Sequence, residues 1–191
     1  MRNQTVARVI VAGVLLLVLV SMVVVRSYSP SAADSLVREE LLEPGDIIFV
    51  DLYEGWCHVG RWDHMALFVG DQPYAGVVEA TYNEGICYTP LHSFLARDLP
   101  AKISVRRLND VPGRNEVIRK AIEFAMAQVG KQFDFTASAT IPLKINEENQ
   151  HCAEVVWRAY KAAGIDLDSN DTLFLYPDDV YYSPELGPAW T

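Results

Sequence analysis

Cys152, His64 and Glu79 are a thiol, an imidazole and a carboxylate, the side-chain types that together perform nucleophilic attack on a carbonyl. Ala153, Val156, Trp157 and Tyr160 follow Cys152 at helical spacing and the pattern stops at Gly164, which predicts a helix from about Cys152 to Ala163. A thiol at such a start feels the positive end of the helix dipole, which lowers its pKa from about 8.5 towards neutrality and raises the fraction of reactive thiolate. The unpaired amides of the first turn point the same way. The Cys152 backbone N–H is therefore an oxyanion-hole candidate, with Gln150 and Asn149 as side-chain donors. The alternative for a single cysteine is a small buried residue without chemistry.

His64 opens the apolar run His64 to Val69, whose character is that of a buried strand, and a strand edge holds a ring rigidly. Imidazole can take the thiol proton near neutral pH and return it to a leaving group. Glu79 falls in the next such run, Val77 to Thr81; neighbouring strands lie about 4.8 Å apart, so its carboxylate can accept the second ring N–H and fix the tautomer. An acid in so apolar a segment either faces water or has a buried partner, and alternation leaves both open. His58, His92 and His151 compete as bases, and His151, although adjacent to Cys152, is expected to point elsewhere on the helix. Cys57, His58, Asp63 and His64 are all metal-ligand types in one loop, but their spacing matches no standard zinc finger, so neither a metal nor another cofactor is assigned. Trp56, Trp62, Tyr82 and Trp190 could line a groove or fill the core.

The elements that must hold these groups read as α+β. Glu43-Pro44-Gly45-Asp46 is turn chemistry before a strand at 47–50; further strands are expected at 64–69, 77–81, 85–89 and 103–108, giving a small, mainly antiparallel sheet or barrel packed on helices. Val117, Ile118, Ala121, Ile122, Ala125 and Val129 predict an amphipathic helix over 115–129 that ends at Gly130. In the Cys152 helix, Arg158 and Lys161 are expected to face water, and residues 173–184 read as loop with a short strand.

Residues 9–25 form an apolar run interrupted only by Gly13 and Ser21. About 17 residues rising about 1.5 Å each span roughly 25 Å, near the short limit for crossing a bilayer and long for a signal-peptide core. Arg2 and Arg8 precede the run and Arg26 follows it, which puts the N-terminus in the cytoplasm and the rest of the chain outside. The expected organisation is a cytoplasmic stub and single transmembrane helix at 1–25, a tether rich in Ser, Pro and Ala at 26–35, and a folded domain at 36–191. Small residues at Ser31-Ala32-Ala33 leave open a cleaved signal and a secreted product. The formal net charge is −9, and beyond residue 33 the chain carries 13 basic against 25 acidic residues, a balance that argues against nucleic acid as a partner. An extracytoplasmic setting would permit one disulfide, Cys57 with Cys87, leaving Cys152 free; the other reading is three unpaired thiols.

Taken together, the motifs resemble papain-like hydrolases of the NlpC type. There, a helix and a Gly-Lys/Thr-Pro-Tyr segment precede the cysteine, and Gly-Asp-Leu and a His-bearing strand follow it. Here Gly45-Asp46-Ile47-Ile48-Phe49 and Asp63-His64-Met65-Ala66-Leu67-Phe68-Val69-Gly70 come first. Gly130-Lys131-Gln132-Phe133-Asp134-Phe135 and His151-Cys152-Ala153-Glu154-Val155-Val156 come last. This reversed order is similar to that of the circularly permuted YiiX and YebB type, over roughly residues 41–183. The resemblance implies a permuted papain-like domain with Cys152 as nucleophile, His64 as base and Glu79 as the group that orients it. It also implies hydrolysis of amide bonds in a peptide or N-acyl substrate, including cell-envelope polymers. Two other readings are a lipid-directed acyltransferase or phospholipase of the same permuted order and a non-catalytic surface domain that keeps the scaffold to bind a ligand.

Overall fold

Strands form where apolar, β-branched and aromatic residues run without interruption between turns, and such runs arise when both faces of a sheet are covered. In β1 (Ile47–Asp51), Ile47 and Phe49 enter one core cluster while Ile48 and Val50 enter another. β2 (His64–Gly70) divides in the same way, Met65 and Leu67 against Ala66 and Phe68. With β3 (Gly76–Thr81), β4 (Gly85–Pro90) and β5 (Lys102–Arg106) they make a five-stranded sheet in the order β4-β3-β2-β1-β5, every pairing antiparallel. The expected sheet is thus present, with the strand set anticipated from the apolar runs.

This computed structural model describes residues 37–52, 60–71, 74–97, 102–134, 143–144 and 148–191, all of which belong to the compact unit Ser35–Thr191. The segments expected to be a transmembrane helix at 9–25 and a tether at 26–35, and residues Trp56, Cys57 and His58, lie outside the described residues. Among the described residues no helix is long and apolar enough to cross a membrane.

One face of the sheet is covered by the short helix α1 (Leu91–Ala96), through Leu91 and Phe94. The other face meets α2 (Arg114–Gln128) and α3 (Cys152–Ala162). In α2 the buried residues Ile118, Ala121 and Ala125 fall on one stripe, as an amphipathic helix requires. By contrast α3 buries Ala153, Glu154, Val155, Val156, Trp157, Ala159 and Tyr160, nearly its whole circumference. Arg158 therefore does not face water: it is partly buried, paired with Glu154 and stacked over Trp157. The tail differs from expectation too. In place of a strand it contains α4 (Pro177–Tyr181), started by Pro177, whose missing N–H costs nothing in a first turn, with only an isolated bridge between Leu143 and Phe174.

A backbone strip connects the halves of the domain. Lys131 accepts the Ile86 N–H (2.9 Å) and Gly130 donates to the Ile86 carbonyl (2.8 Å), so the segment after α2 lies along the β3–β4 hairpin. Gly85, at φ +70°, is required there because a Cβ would collide with the Lys131 carbonyl. Phe133 then bridges to Gln150 in parallel fashion, and Asp134 donates to the Gln150 carbonyl (3.3 Å), two residues before Cys152. The Gly130-Lys131-Gln132-Phe133-Asp134 motif is thus the seam between the sheet and the start of α3.

Candidate active site

Cys152 is the first residue of α3 and keeps partial solvent exposure, so its thiol has both the helix-start environment and access. His64 is the first residue of β2, at the end of the sheet, where a group at the start of α3 reaches its ring. Strand alternation places Glu79 on the α1 side of the sheet with Val77, and the hairpin register sets Cys87 opposite Glu79 and Thr89 opposite Val77. The open question about Glu79 is answered by burial with partners. Its side chain is fully buried, and its Oε2 stands 2.7 Å from His64 Nε2. Thr89 Oγ1 donates to Oε1 at 2.5 Å, and the Arg97 guanidinium grips both oxygens, Nη1 to Oε2 at 2.9 Å and Nη2 to Oε1 at 2.6 Å.

Three linked titrations follow. Burial alone would raise the Glu79 carboxyl, but the hydrogen bonds from His64 and Arg97 hold it down at about 2. Burial would lower His64, yet hydrogen bonding to Cys152 and Glu79, with the negative charge of each, lifts the imidazole from 6.5 to about 10. Burial would raise the Cys152 thiol, but hydrogen bonding to His151 and His64, and their positive charge, brings it from 9.0 to about 6. Between those values the site holds thiolate beside imidazolium, the pair from which thiol acyl transfer starts.

His151 is the N-cap of α3 and forms a capping box with Glu154, its backbone N–H reaching Glu154 Oε2 at 3.3 Å while its Nε2 stands 3.6 Å from the same oxygen. Of the oxyanion-hole candidates, the Cys152 backbone N–H opens the helix. The Gln150 side chain is buried, with its Nε2 donating to Gln128 Oε1 (3.3 Å), and Asn149 sits partly exposed on the approach to α3. His92 lies exposed on α1, 3.2 Å from Ser93 Oγ, away from this cluster. Trp62 belongs to the core, packed on Phe49 and Tyr181, whereas Tyr82 is half exposed and stacks on Phe133 at 4.4 Å. Cys87 is half buried, its sulfur 3.6 Å from Thr89 Oγ1; the proposed partner Cys57 lies outside the described residues.

The groups that sequence reasoning missed are those that fix the others. Arg97 follows α1, a helix too short to show a period. Asp178 at the start of α4 accepts the N–H groups of Arg61 and Trp62 (2.9 to 3.0 Å), pinning the turn that leads into His64. Asp46 of the Gly-Asp turn pairs with Arg107 (2.7 Å) and takes the Glu43 N–H (2.8 Å), a structural role for that motif.

Comparison with known proteins decides the family. A family model described as permuted papain-like amidase enzyme, YaeF/YiiX, C92 family, matches residues 41–184. The chain belongs to this family of permuted papain-like amidases. Among curated proteins it is 27% identical over 138 residues to the uncharacterized protein YiiX of Escherichia coli strain K12. That match covers 72% of this chain and 60% of the relative's length. Among solved structures it matches one titled as the metalloprotein yiiX from Escherichia coli O157:H7, DUF1105. The match has a TM-score of 0.62 at 22% identity, over 78% of this chain and 96% of that one, which is a likeness of fold.

Proposed function

We propose that this permuted papain-like amidase cleaves amide bonds through a Cys152–His64–Glu79 triad and a thioester intermediate. The observation that supports it most is His64 held between a saturated, buried carboxylate and a partly exposed thiol at a helix start. The Cys152 thiolate attacks the carbonyl carbon, and the oxyanion so formed meets the backbone N–H groups at the start of α3. Imidazolium His64 gives its proton to the leaving amine as the C–N bond breaks, leaving a thioester on Cys152. Neutral His64 then takes a proton from water, the hydroxide adds to the thioester, and collapse releases a carboxylic acid and the thiolate. Glu79 keeps Nε2 as a donor and stabilises the cationic ring; Thr89 and Arg97 hold Glu79 in place.

Because the thiolate–imidazolium pair exists between about 6 and about 10, turnover should rise through the lower value and fall through the upper one. The deciding experiment is a burst assay with an N-acyl p-nitroanilide or p-nitrophenyl ester, followed by intact mass. A burst, an acyl adduct on Cys152 and loss of both in Cys152→Ala and His64→Ala are expected. Turnover undiminished in Cys152→Ala would falsify the mechanism, and absence of any adduct favours a ligand-binding domain.

The same proposal sets the domain at 36–191 outside the membrane, tethered by 26–35 to an anchor within 1–25, acting on peptide or N-acyl groups of the cell envelope. Intact Met1 in chain recovered from membranes supports the anchor, whereas a product starting near residue 34 means a cleaved signal. The neighbour's title calls that protein a metalloprotein; of the ligand-type residues Cys57, His58, Asp63 and His64 in this chain, Cys57 and His58 lie outside the described residues. Among the described residues no three His, Cys, Asp or Glu side chains are grouped for an ion, and Asp63 accepts the Leu52 N–H. No step is routed through a metal.

A further inference from the structure

Just before β2 stands an arginine whose charge is left over. Among the described residues every other arginine donates from its guanidinium to a carboxylate or a backbone carbonyl. Arg61 has neither there: it is exposed, and its guanidinium carbon lies 5.0 Å from the centre of the Trp62 ring and 5.8 Å from that of Tyr181. Two neighbouring acids do not take it up. Asp178 turns both oxygens to the backbone N–H groups of Arg61 and Trp62, and Asp63 turns both of its own to the Leu52 N–H. In a chain with a formal net charge of −9, a cation without a carboxylate partner is the exception, and this one sits three residues from His64.

We propose that Arg61 is a specificity-determining residue that receives a carboxylate of the substrate, so that the amides cleaved belong to molecules carrying a free carboxylate a few bonds from the scissile carbonyl. This rests on the reading of Cys152 as nucleophile and His64 as base. Three residues of chain keep the Cα atoms of Arg61 and His64 within about 11 Å of each other. Trp62 and Tyr181, on which the guanidinium rests, belong to the same core cluster as Ala153 and Val156 of α3. The cation therefore lies on the face of the sheet that carries the nucleophile's helix, at the end where His64 begins. Contact with two rings restrains a long side chain, and the free edge of a guanidinium matches a carboxylate with two parallel hydrogen bonds. The backbone beneath is fixed as well: Gly60 takes φ +127°, a Cβ there would collide with the Asp178 carboxylate, and Asp178 ties the turn to α4.

The test is alkylation of Cys152 in the full chain by N-iodoacetyl amino acids of increasing spacer length, each set against its own carboxamide and read by mass spectrometry on the peptide carrying Cys152. Comparing acid with amide cancels the intrinsic reactivity of the thiol, and comparing wild type with Arg61→Gln cancels the attraction of the His64 imidazolium. The expected result is a spacer length at which the acid-to-amide rate ratio is about ten-fold higher in the wild type than in Arg61→Gln. That excess should shrink as sodium chloride is added, since the cation is exposed. Arg61→Lys keeps the charge but not the fork and should give an intermediate ratio, which reads the site even if Arg61→Gln fails to fold. Ratios equal in wild type and variants at every spacer length overturn the proposal and leave the nucleophile standing. A wild-type Cys152 that reacts with the carboxamides no faster than an ordinary thiol overturns the nucleophile reading and this one with it.

Discussion

Two arginine forks grip a glutamate in this domain with nearly the same geometry. Arg97 reaches Glu79 at 2.9 and 2.6 Å, and on the outer face of α2 Arg119 reaches Glu116 at 2.8 and 2.6 Å. Both glutamates are held at about 2. The difference is water: the Glu79 side chain is 0% exposed and that of Glu116 is 53%. On the surface, the attraction is screened and is opposed by the entropy of fixing two long side chains. In the interior, a carboxylate deprived of its partners would be left as an unpaired buried charge. Distance and titration therefore do not rank the two forks; burial does, and only the buried one conditions the chemistry of His64.

Replacing the buried acid should have the largest effect. Glu79→Gln is expected to lower turnover by roughly 10²- to 10⁴-fold in a steady-state assay, since His64 loses its orienting anion. A stability profile separates the two acids further. The folded-state value of Glu79 is depressed, so its contribution is present above the ordinary 4.5 and is lost as pH falls from there through about 2. That acid limb should disappear from melting curves of Glu79→Gln and persist in Glu116→Gln; equal loss in both would break the contrast.

Arg97→Ala comes next. It removes two charged hydrogen bonds from a buried carboxylate and should cost about 2 kcal/mol in denaturant unfolding, allowing for the partial exposure of Arg97. Turnover should fall through kcat rather than KM, because Glu79 loses the partner that fixes it beside His64. Arg97→Lys should recover only part, because a point charge cannot make both bonds. Arg119→Ala should do least: melting temperature and turnover unchanged within error at low and at physiological salt. A measurable loss there would mean that surface forks matter more than screening allows.

The strands were legible because each is an uninterrupted apolar run bounded by turn residues, the pattern left when both faces of a sheet are covered. The cost of that legibility was the orientation of Glu79: in a strand without polar alternation, neither face announces itself as the wet one. The register could be reasoned from the short Asn83-Glu84-Gly85 turn, and Thr89 with it, since a hairpin fixes which side chains share a face. Arg97 was out of reach because α1 spans six residues after Pro90, less than two turns, and shows no period. Arg158 was misread because its helix is buried nearly all round, so the rule that cations on a helix face water failed against packing. The position of Cys152 at a helix start was read directly, from Gly164 at one end and the apolar spacing between.

The strip at 130–134 binds the hairpin on one side and Gln150 on the other, joining the part of the chain that bears imidazole and carboxylate to the part that bears the thiol. The covalent link between those parts runs instead through Val111-Pro112-Gly113, where Gly113 takes φ +74° and no atom lies within 4 Å of the place a Cβ would occupy. The peptide bond there records the order of synthesis and little else. A gene that began at α2, ran through α3 and finished on the sheet would encode the same meeting of groups, provided the seam survived. Inheritance is thus free to rotate the reading order of this domain without moving an atom that matters to it.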